Sequence, residues 1–442
     1  IREAWNHYTR EDHVTDGRHW ARVRGPIGVV VATLIDFDWV PEAPDIFIAD
    51  NRQRFKMAGD GDATYFKQMV LESAQRQSWR LASKHSGHTD LAAGADLMPV
   101  HKLIKNYAKR EHWQSVGMAI CTAANGIWTR ERLFNAGMID DDTCLRCGMA
   151  TETAYHRYWE CPDNKKIGNR IAIEKSEYLR ETAAKDSAQL TRGIPPLSAY
   201  PDIRPPPDTY WKDGVWNEDK GKIATRGAFS ASKGGMVIFT DGSGGKEGSD
   251  KRLRRCGWAY IQMETGTRRL LVYASGVLEG PMQTVTRAEL TAFVQAIRSA
   301  PQGQNLTIIS DSAYVVNEYA KLKDGQLPMK HRDLWMEVRR RILWTKGTRE
   351  IRCVKVKAHT TEEDLKTGKY GITEFTREGN KFADMAANDA ADMAAIDQCL
   401  VDRVRSADAE AFVVLRRLVA VNMHCVGLDI ERKQQHDEAR IT

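Results

Sequence analysis

Val237-Ile-Phe-Thr-Asp-Gly-Ser243 is an apolar, β-branched run that ends on an acid, Asp241. Such a run reads as a buried strand, here carrying a carboxylate at its end. Three more acids stand at comparable stations. Glu289 lies in Thr286-Arg-Ala-Glu-Leu290, Asp311 in Ile308-Ile-Ser-Asp-Ser312 and Asp384 in Gly379-Asn-Lys-Phe-Ala-Asp384. Glu289 is expected early in a helix, Asp311 at a second strand end and Asp384 in a final helix. Carboxylates from separate elements meet only through the fold. Once together they repel one another unless a divalent cation lies between them. Hard oxygen donors suit Mg²⁺, with Mn²⁺ as a substitute, and two such ions clamp a phosphodiester during hydrolysis.

The surrounding pattern predicts an α/β fold. Strands are expected at 236–241, 257–263, 269–278, 306–311 and 351–357, and helices at 286–300, 312–322, 332–344 and 379–395. In the first of these helices Leu290, Phe293, Val294 and Ile297 recur at helical spacing. The order βββαβααβα implies a mixed five-stranded sheet with flanking helices. Strand ends are where such sheets place their sites.

Each acid also has a purely structural reading. Asp241-Gly242 is a turn signal. Thr286 and Glu289 have capping-box spacing. Asp311 can cap the following helix, and Asp384 can be a solvated helix residue. The joint order of strand-Asp, helix-Glu, strand-Asp and helix-Asp is what separates a site from four coincidences.

Residues 234–395 closely resemble ribonuclease H of the bacterial and retroelement type, on these four motifs and on His359 in Lys355-Val-Lys-Ala-His359. The resemblance implies a catalytic set of Asp241, Glu289, Asp311, Asp384 and His359. It implies hydrolysis of the RNA strand of RNA–DNA hybrids with two Mg²⁺ ions, Asp241 bridging both. It also implies substrate contacts at Gly242, Ser243, Thr286, Arg287, Ser312 and Asn380. The chain departs from the family in three places. Residues 360–378 look inserted between His359 and Asp384. Residues 244–255 carry Lys246, Lys251, Arg252, Arg254 and Arg255, reading either as a solvated loop or as a basic finger. Val285, Thr286 and Ala313 stand where bacterial members place polar groove-reading residues. RNA recognition through the 2′-hydroxyl is therefore expected to fall on backbone groups near Gly242, Ser243 and Glu289.

Upstream, Cys144, Cys147, His156 and Cys161 have the spacing C-x2-C-x8-H-x4-C. Three thiolates and an imidazole make a closed tetrahedral structural Zn²⁺ site, which lets a short polar segment fold. Glu152, His156 and Trp159-Glu-Cys-Pro162 resemble the zinc-binding segment of non-LTR retrotransposon reverse transcriptases. The expected organisation is a mainly helical region at 1–120, a zinc module at 121–175, a Pro-rich linker at 176–233, the ribonuclease H-like domain at 234–395 and a helical tail at 396–442.

The charge balance, 65 Lys and Arg against 59 Asp and Glu in 442 residues, tolerates nucleic acid without demonstrating it. No apolar run approaches the roughly 20 residues of a membrane span, so a membrane partner is not expected. The scattered remaining cysteines and the lack of a secretion signal fit an intracellular, nuclear or cytoplasmic compartment. Ile1 is no initiator, and the chain is expected to be part of a larger reverse transcriptase polyprotein. No polymerase signature is present. Two rival readings remain: an inactive nucleic-acid-binding retroelement remnant, and a DNA-directed nuclease of the same broad fold. Proofreading exonucleases call for Asp-X-Glu, which Asp241-Gly-Ser243 lacks.

Overall fold

The structure, a computed structural model, describes residues 20, 23, 25–43, 46–56, 63–86, 88–204, 206, 224–227, 229–230, 235–345, 347–358, 360–366 and 372–441. It divides into two compact units, residues 1–73 with 203–397 and residues 74–202 with 398–442.

In the first unit, Val40–Ala43 (β1), Ile46–Ile48 (β2) and Arg54–Lys56 (β3) form a small antiparallel sheet. Trp39, Phe47, Phe55 and Tyr65 bury their rings together with Val31 and Leu34 of the helix Gly25–Asp36. The sequence reading expects a mainly helical region here. Strands of three and four residues are too short to show alternation, so the sheet is a structural addition to it.

The large sheet of this unit contains Ala224–Gly227 (β4), Met236–Ser243 (β5), Gly257–Met263 (β6), Leu270–Val277 (β7), Leu306–Ser310 (β8) and Ile351–Lys355 (β9), in the order β4-β7-β6-β5-β8-β9. β5 through β9 are the five expected strands, and β4 adds a sixth at the edge. β5, β6 and β7 form an antiparallel meander, while β8 runs parallel to β5 and β9 parallel to β8.

Adjacent residues of β5 point to opposite faces, as the pleat demands. Ile238 joins Trp258, Tyr260, Phe293 and Trp335 on one face, and Phe239 joins Ile261, Ile309, Val356 and Ala383 on the other. β5 is thus covered on both sides, which is why it reads as a continuous apolar run. The first face is covered by the helix Val285–Ser299, capped by Thr284, whose hydroxyl accepts the Arg287 N–H at 3.3 Å. The capping-box reading of Thr286 is corrected accordingly. The second face is covered by the helix Glu374–Met393, which lays Gly379, Ala383, Ala386, Ala387, Ala390 and Ala391 on the sheet. A Cβ at Gly379 would collide with the Phe239 ring. Small residues therefore let the Asp384-bearing helix sit low on β5.

In the second unit the helix Gln398–Ile441 is the spine. Its Val414, Leu418, Val421 and Cys425 pack with Tyr158, Trp159 and Leu190, and its Leu415 packs with Leu91, Leu103 and Ile194. Arg417 is buried under the Trp159 ring at 4.2 Å and donates to the Tyr158 carbonyl at 2.7 Å. Asn422 accepts from Arg157 and donates to Tyr158 Oη and Thr122 Oγ1, each at 3.0 Å. Within Gln398–Gln435 an 18-residue window reaches a mean hydropathy of 1.5, long and apolar enough to cross a membrane, yet half of that window is buried inside the protein. Its apolar face is this unit's core. Part of the expected linker is built into the same unit: Ser187 caps the helix Ala188–Arg192, and Trp159 Nε1 donates to the Leu190 carbonyl at 2.8 Å. Residues 207–223 of that linker lie outside the described residues.

Candidate active site

The parallel register of β5 and β8 sets Thr240 opposite Ser310, so the next residues, Asp241 still within β5 and Asp311 just past β8, come side by side. Glu289 reaches them from the second turn of the helix Val285–Ser299. A Cβ at Gly242 would collide with the Glu289 backbone nitrogen and with Ala288, so only glycine lets this helix approach so closely. The result is a cluster in which carboxylate oxygens of Asp241, Glu289 and Asp311 lie within 4.8 Å of one another. Asp384 stands outside that group but close enough for its charge to act on Asp241.

Burial dominates the electrostatics. Asp241 is only 6 % exposed. Desolvation, and then the charges of Asp311, Asp384 and Glu289, push its carboxyl up from 3.8 to about 8. Desolvation likewise raises Glu289, with Asp311 adding to it and the Ser312 hydrogen bond opposing it.

Each carboxylate is also held by a neutral donor. Gly242 N–H donates to Asp241 Oδ1 at 2.7 Å, Asn380 Nδ2 to Asp311 at 3.3 Å and Asn388 Nδ2 to Asp384 at 3.1 Å. The Ser312 hydroxyl donates to Glu289. These neutral donors fix the oxygens in place without themselves cancelling the negative charge.

These contacts reassign several residues. Ser312 caps the helix Ala313–Lys323 and orients Glu289. Asn380 orients Asp311. Ser243 donates to Asn388 Oδ1 and accepts from Gly245 N–H at 3.0 Å. Asn388, which the sequence reading leaves out, therefore ties the end of β5 to Asp384. Its signal was available, because it lies four residues after Asp384 on one helix face. Arg287 is a correction. Its guanidinium is buried and forked onto Asp333 at 2.6 and 3.1 Å, so it braces two helices and does not face a substrate. Thr286 is half-buried and free of the capping role. His359 lies outside the described residues.

The basic loop 244–255 is folded. Arg252 forks onto Asp250, Arg254 Nε donates to the Gly248 carbonyl at 2.6 Å, and Arg255 is buried with its guanidinium on the Arg254 and Arg204 carbonyls. Lys246 pairs with Asp392 at 3.3 Å. Most of the expected finger is thus internal scaffolding. Of the residues that follow His359, Glu362–Lys366 form a short helix. There Asp364 accepts from Thr361 and Lys357, contacts that hold its carboxyl down at about 2.

In the second unit Cys144, Cys147, His156 and Cys161 bring their ligand atoms within 4.8 Å of one another. Cys144 and Cys161 sulfurs are 3.9 Å apart, and Cys147 Sγ is 3.5 Å from His156 Nε2. A tetrahedron with Zn–S bonds of about 2.3 Å has S···S edges of about 3.8 Å, so the donor set fits that ion. The two sulfurs are too far apart for a disulfide. The turn is set by Gly148 at φ +66° and by Cys144 N–H donating to the Ala150 carbonyl.

The RNase H family model matches residues 233–392. That stretch is an RNase H domain. A ribonuclease H of Moorella thermoacetica is 28% identical to the chain over 137 residues, covering 28% of this chain and 80% of that protein. Among solved structures, the PFV RNase H domain in solution is 23% identical, covers 36% of this chain and 94% of its own, and has a TM-score of 0.28. LC11-RNase H1 in complex with RNA/DNA hybrid is 15% identical, covers 36% and 98%, and has a TM-score of 0.26.

Proposed function

We propose that this chain is a divalent-cation-dependent endonuclease that hydrolyses the RNA strand of RNA–DNA hybrids and derives from a retrotransposon reverse transcriptase. The observation that carries the reading is the cluster of buried Asp241 with half-buried Glu289 and Asp311, in which desolvation and then mutual repulsion push Asp241 up to about 8. Folding such a cluster is costly without a function for its charge. Mg²⁺ or Mn²⁺ held by Asp241, Glu289, Asp311 and Asp384 would polarise the phosphodiester and activate the attacking water. The chain's own contribution is positional. Gly242, Ser312, Asn380 and Asn388 hold the four carboxylates from the sides, and the low helix packing keeps the site on rigid elements. We further propose that Cys144, Cys147, His156 and Cys161 hold a structural zinc, and that Thr286 and Ser243 border the bound hybrid. His359 is proposed to assist proton transfer.

Cleavage of matched RNA–DNA, RNA–RNA and DNA–DNA duplexes in Mg²⁺, Mn²⁺, Ca²⁺ and EDTA tests the reading. Hybrid-only cleavage with Mg²⁺ or Mn²⁺ is expected, and Ca²⁺, with its longer and looser coordination, should fail to support it. Full activity in EDTA would overturn the metal mechanism. Hybrid binding with no cleavage in either active ion would establish the inactive remnant instead.

A further inference from the structure

We propose that the second unit carries a binding surface for single-stranded nucleic acid, formed by the outer face of the helix Met98–Lys109 and by Trp113. It is separate from the RNase H site and rests on this unit's surface alone. The stretch His101-Lys-Leu-Ile-Lys-Asn-Tyr-Ala-Lys-Arg-Glu-His-Trp113 holds four cationic side chains against one acidic residue, Glu111. Lys102, Lys105 and Lys109 recur at helical spacing along one face, and all three are exposed, as is Arg110. Lys102 is paired with Asp408 at 3.1 Å. Lys105, Lys109 and Arg110 make no ion pair among the described residues. Lys105 and Lys109 on that face, with Arg110 at the helix C-cap, make a short cationic run that a polyanion's phosphates match.

The other face of this helix decides which polyanion. A basic amphipathic helix can also lie on a membrane, but only if its apolar face is free. Here that face is occupied: Val100 and Leu103 are buried with Leu91, Ile194 and Leu415, and Ile104 and Tyr107 pack against the same cluster. Only the cationic side faces water. Just past the helix, Trp113 opens the next helix, Trp113–Ala123, and its side chain is 65 % exposed. Trp113 follows Arg110 by three residues, and an indole left in water is a stacking platform. Bases are free to stack on it only when unpaired, which favours a single strand over a duplex.

The test uses the full chain and a labelled oligo-dT, with dissociation followed by fluorescence anisotropy across salt concentration. Oligo-dT has no 2′-hydroxyl and no RNA strand to cut. The triple variant Lys105→Ala/Lys109→Ala/Arg110→Ala should weaken binding and flatten the slope of log K against log salt by about 2, at roughly 0.7 per phosphate contact. Trp113→Ala should weaken binding by about ten-fold with an unchanged slope, and Trp113→Phe should recover most of that loss. All these side chains are exposed, and an unchanged thermal midpoint will report an intact fold. Unchanged affinity and slope in the triple variant would overturn the proposal. So would loss of binding to phosphatidylserine vesicles with oligo-dT binding retained, which would make the face a lipid-binding one.

Discussion

The carboxylates of the RNase H domain and the thiols of the second unit are gathered by opposite means. Asp241, Glu289 and Asp311 come from two strand ends and a helix, all anchored in one apolar core. Cys144, Cys147, His156 and Cys161 come from one short stretch, much of it turn. The first cluster is imposed by the fold on side chains that resist it, as the raised Asp241 and Glu289 carboxyls show. The second has four donors and little regular structure to hold them. The comparison teaches that a cation should be a reagent in the first site and a structural member in the second.

The strongest way to break this contrast is to remove charge from the first cluster. Asp241→Asn and Asp311→Asn should each lower hybrid cleavage on the order of a thousand-fold or more, since several kcal/mol of charge stabilisation is lost. The thermal midpoint of the cation-free protein should hold or rise, because each variant relieves a buried repulsion. Near-normal turnover in both, with Mg²⁺ supplied, would end the assignment.

Cys147→Ser probes the other side. It should abolish stoichiometric zinc binding, measured by elemental analysis, and loosen residues 144–153 as read by hydrogen exchange. Hybrid cleavage should stay within about two-fold, because the domain carrying Asp241 has its own core. Zinc content equal to that of the parent would exclude the four-ligand site.

The pH dependence sharpens the contrast further. Asp241 is raised from 3.8 in the unfolded chain to about 8 in the folded one, so the folded state holds the proton more tightly. Its stability contribution is fully present below about 4 and is lost as pH rises toward about 8. In EDTA the melting temperature should therefore fall over that window by more in the parent than in Asp241→Asn. With Mg²⁺ the trend reverses for activity, since the cation displaces the proton and apparent Mg²⁺ affinity should improve with rising pH. Identical pH–stability curves for parent and variant would show that Asp241 is not proton-bound in the free site.

How much of this was legible in the sequence follows from how each feature is encoded. β5, β6 and β8 were readable because buried strands carry continuous apolar runs, β9 only from its length and β-branching, and the four acids from their order along strand, helix, strand and helix. The Cys/His cluster was readable from spacing alone, since all its members are local. The small sheet β1-β2-β3 was not, because its strands are too short to show a period. Arg287 was misread because its partner Asp333 lies far along the chain, and no local pattern announces a buried fork. The loop 244–255 looked like a solvated or reaching basic segment because composition counts charges but not the carbonyls that Arg254 and Arg255 reach. The apolar content of 398–435 was diluted by charges in the linear sequence, and it becomes one buried face only when wound as a helix.

The smallest effect expected is also the most specific to this chain. Asn388 accepts from Ser243 at the end of β5 and donates to Asp384 one helical turn away. It therefore couples the strand bearing Asp241 to the fourth carboxylate without touching substrate, as a positioning residue. Asn388→Ala should lower kcat about three- to ten-fold and raise the Mg²⁺ concentration needed for half-maximal cleavage, with KM for the hybrid and the thermal midpoint little changed. Ser243→Ala should reproduce part of the same shift. Because the two side chains act through one hydrogen bond, the double variant should cost less than the sum of the single ones, a coupling that a double-mutant cycle reads directly. Additive losses, or a loss confined to KM with the Mg²⁺ dependence unmoved, would place Asn388 at the substrate edge rather than behind Asp384. The carboxylate site would then be held from the side of Asp384 by its helix alone.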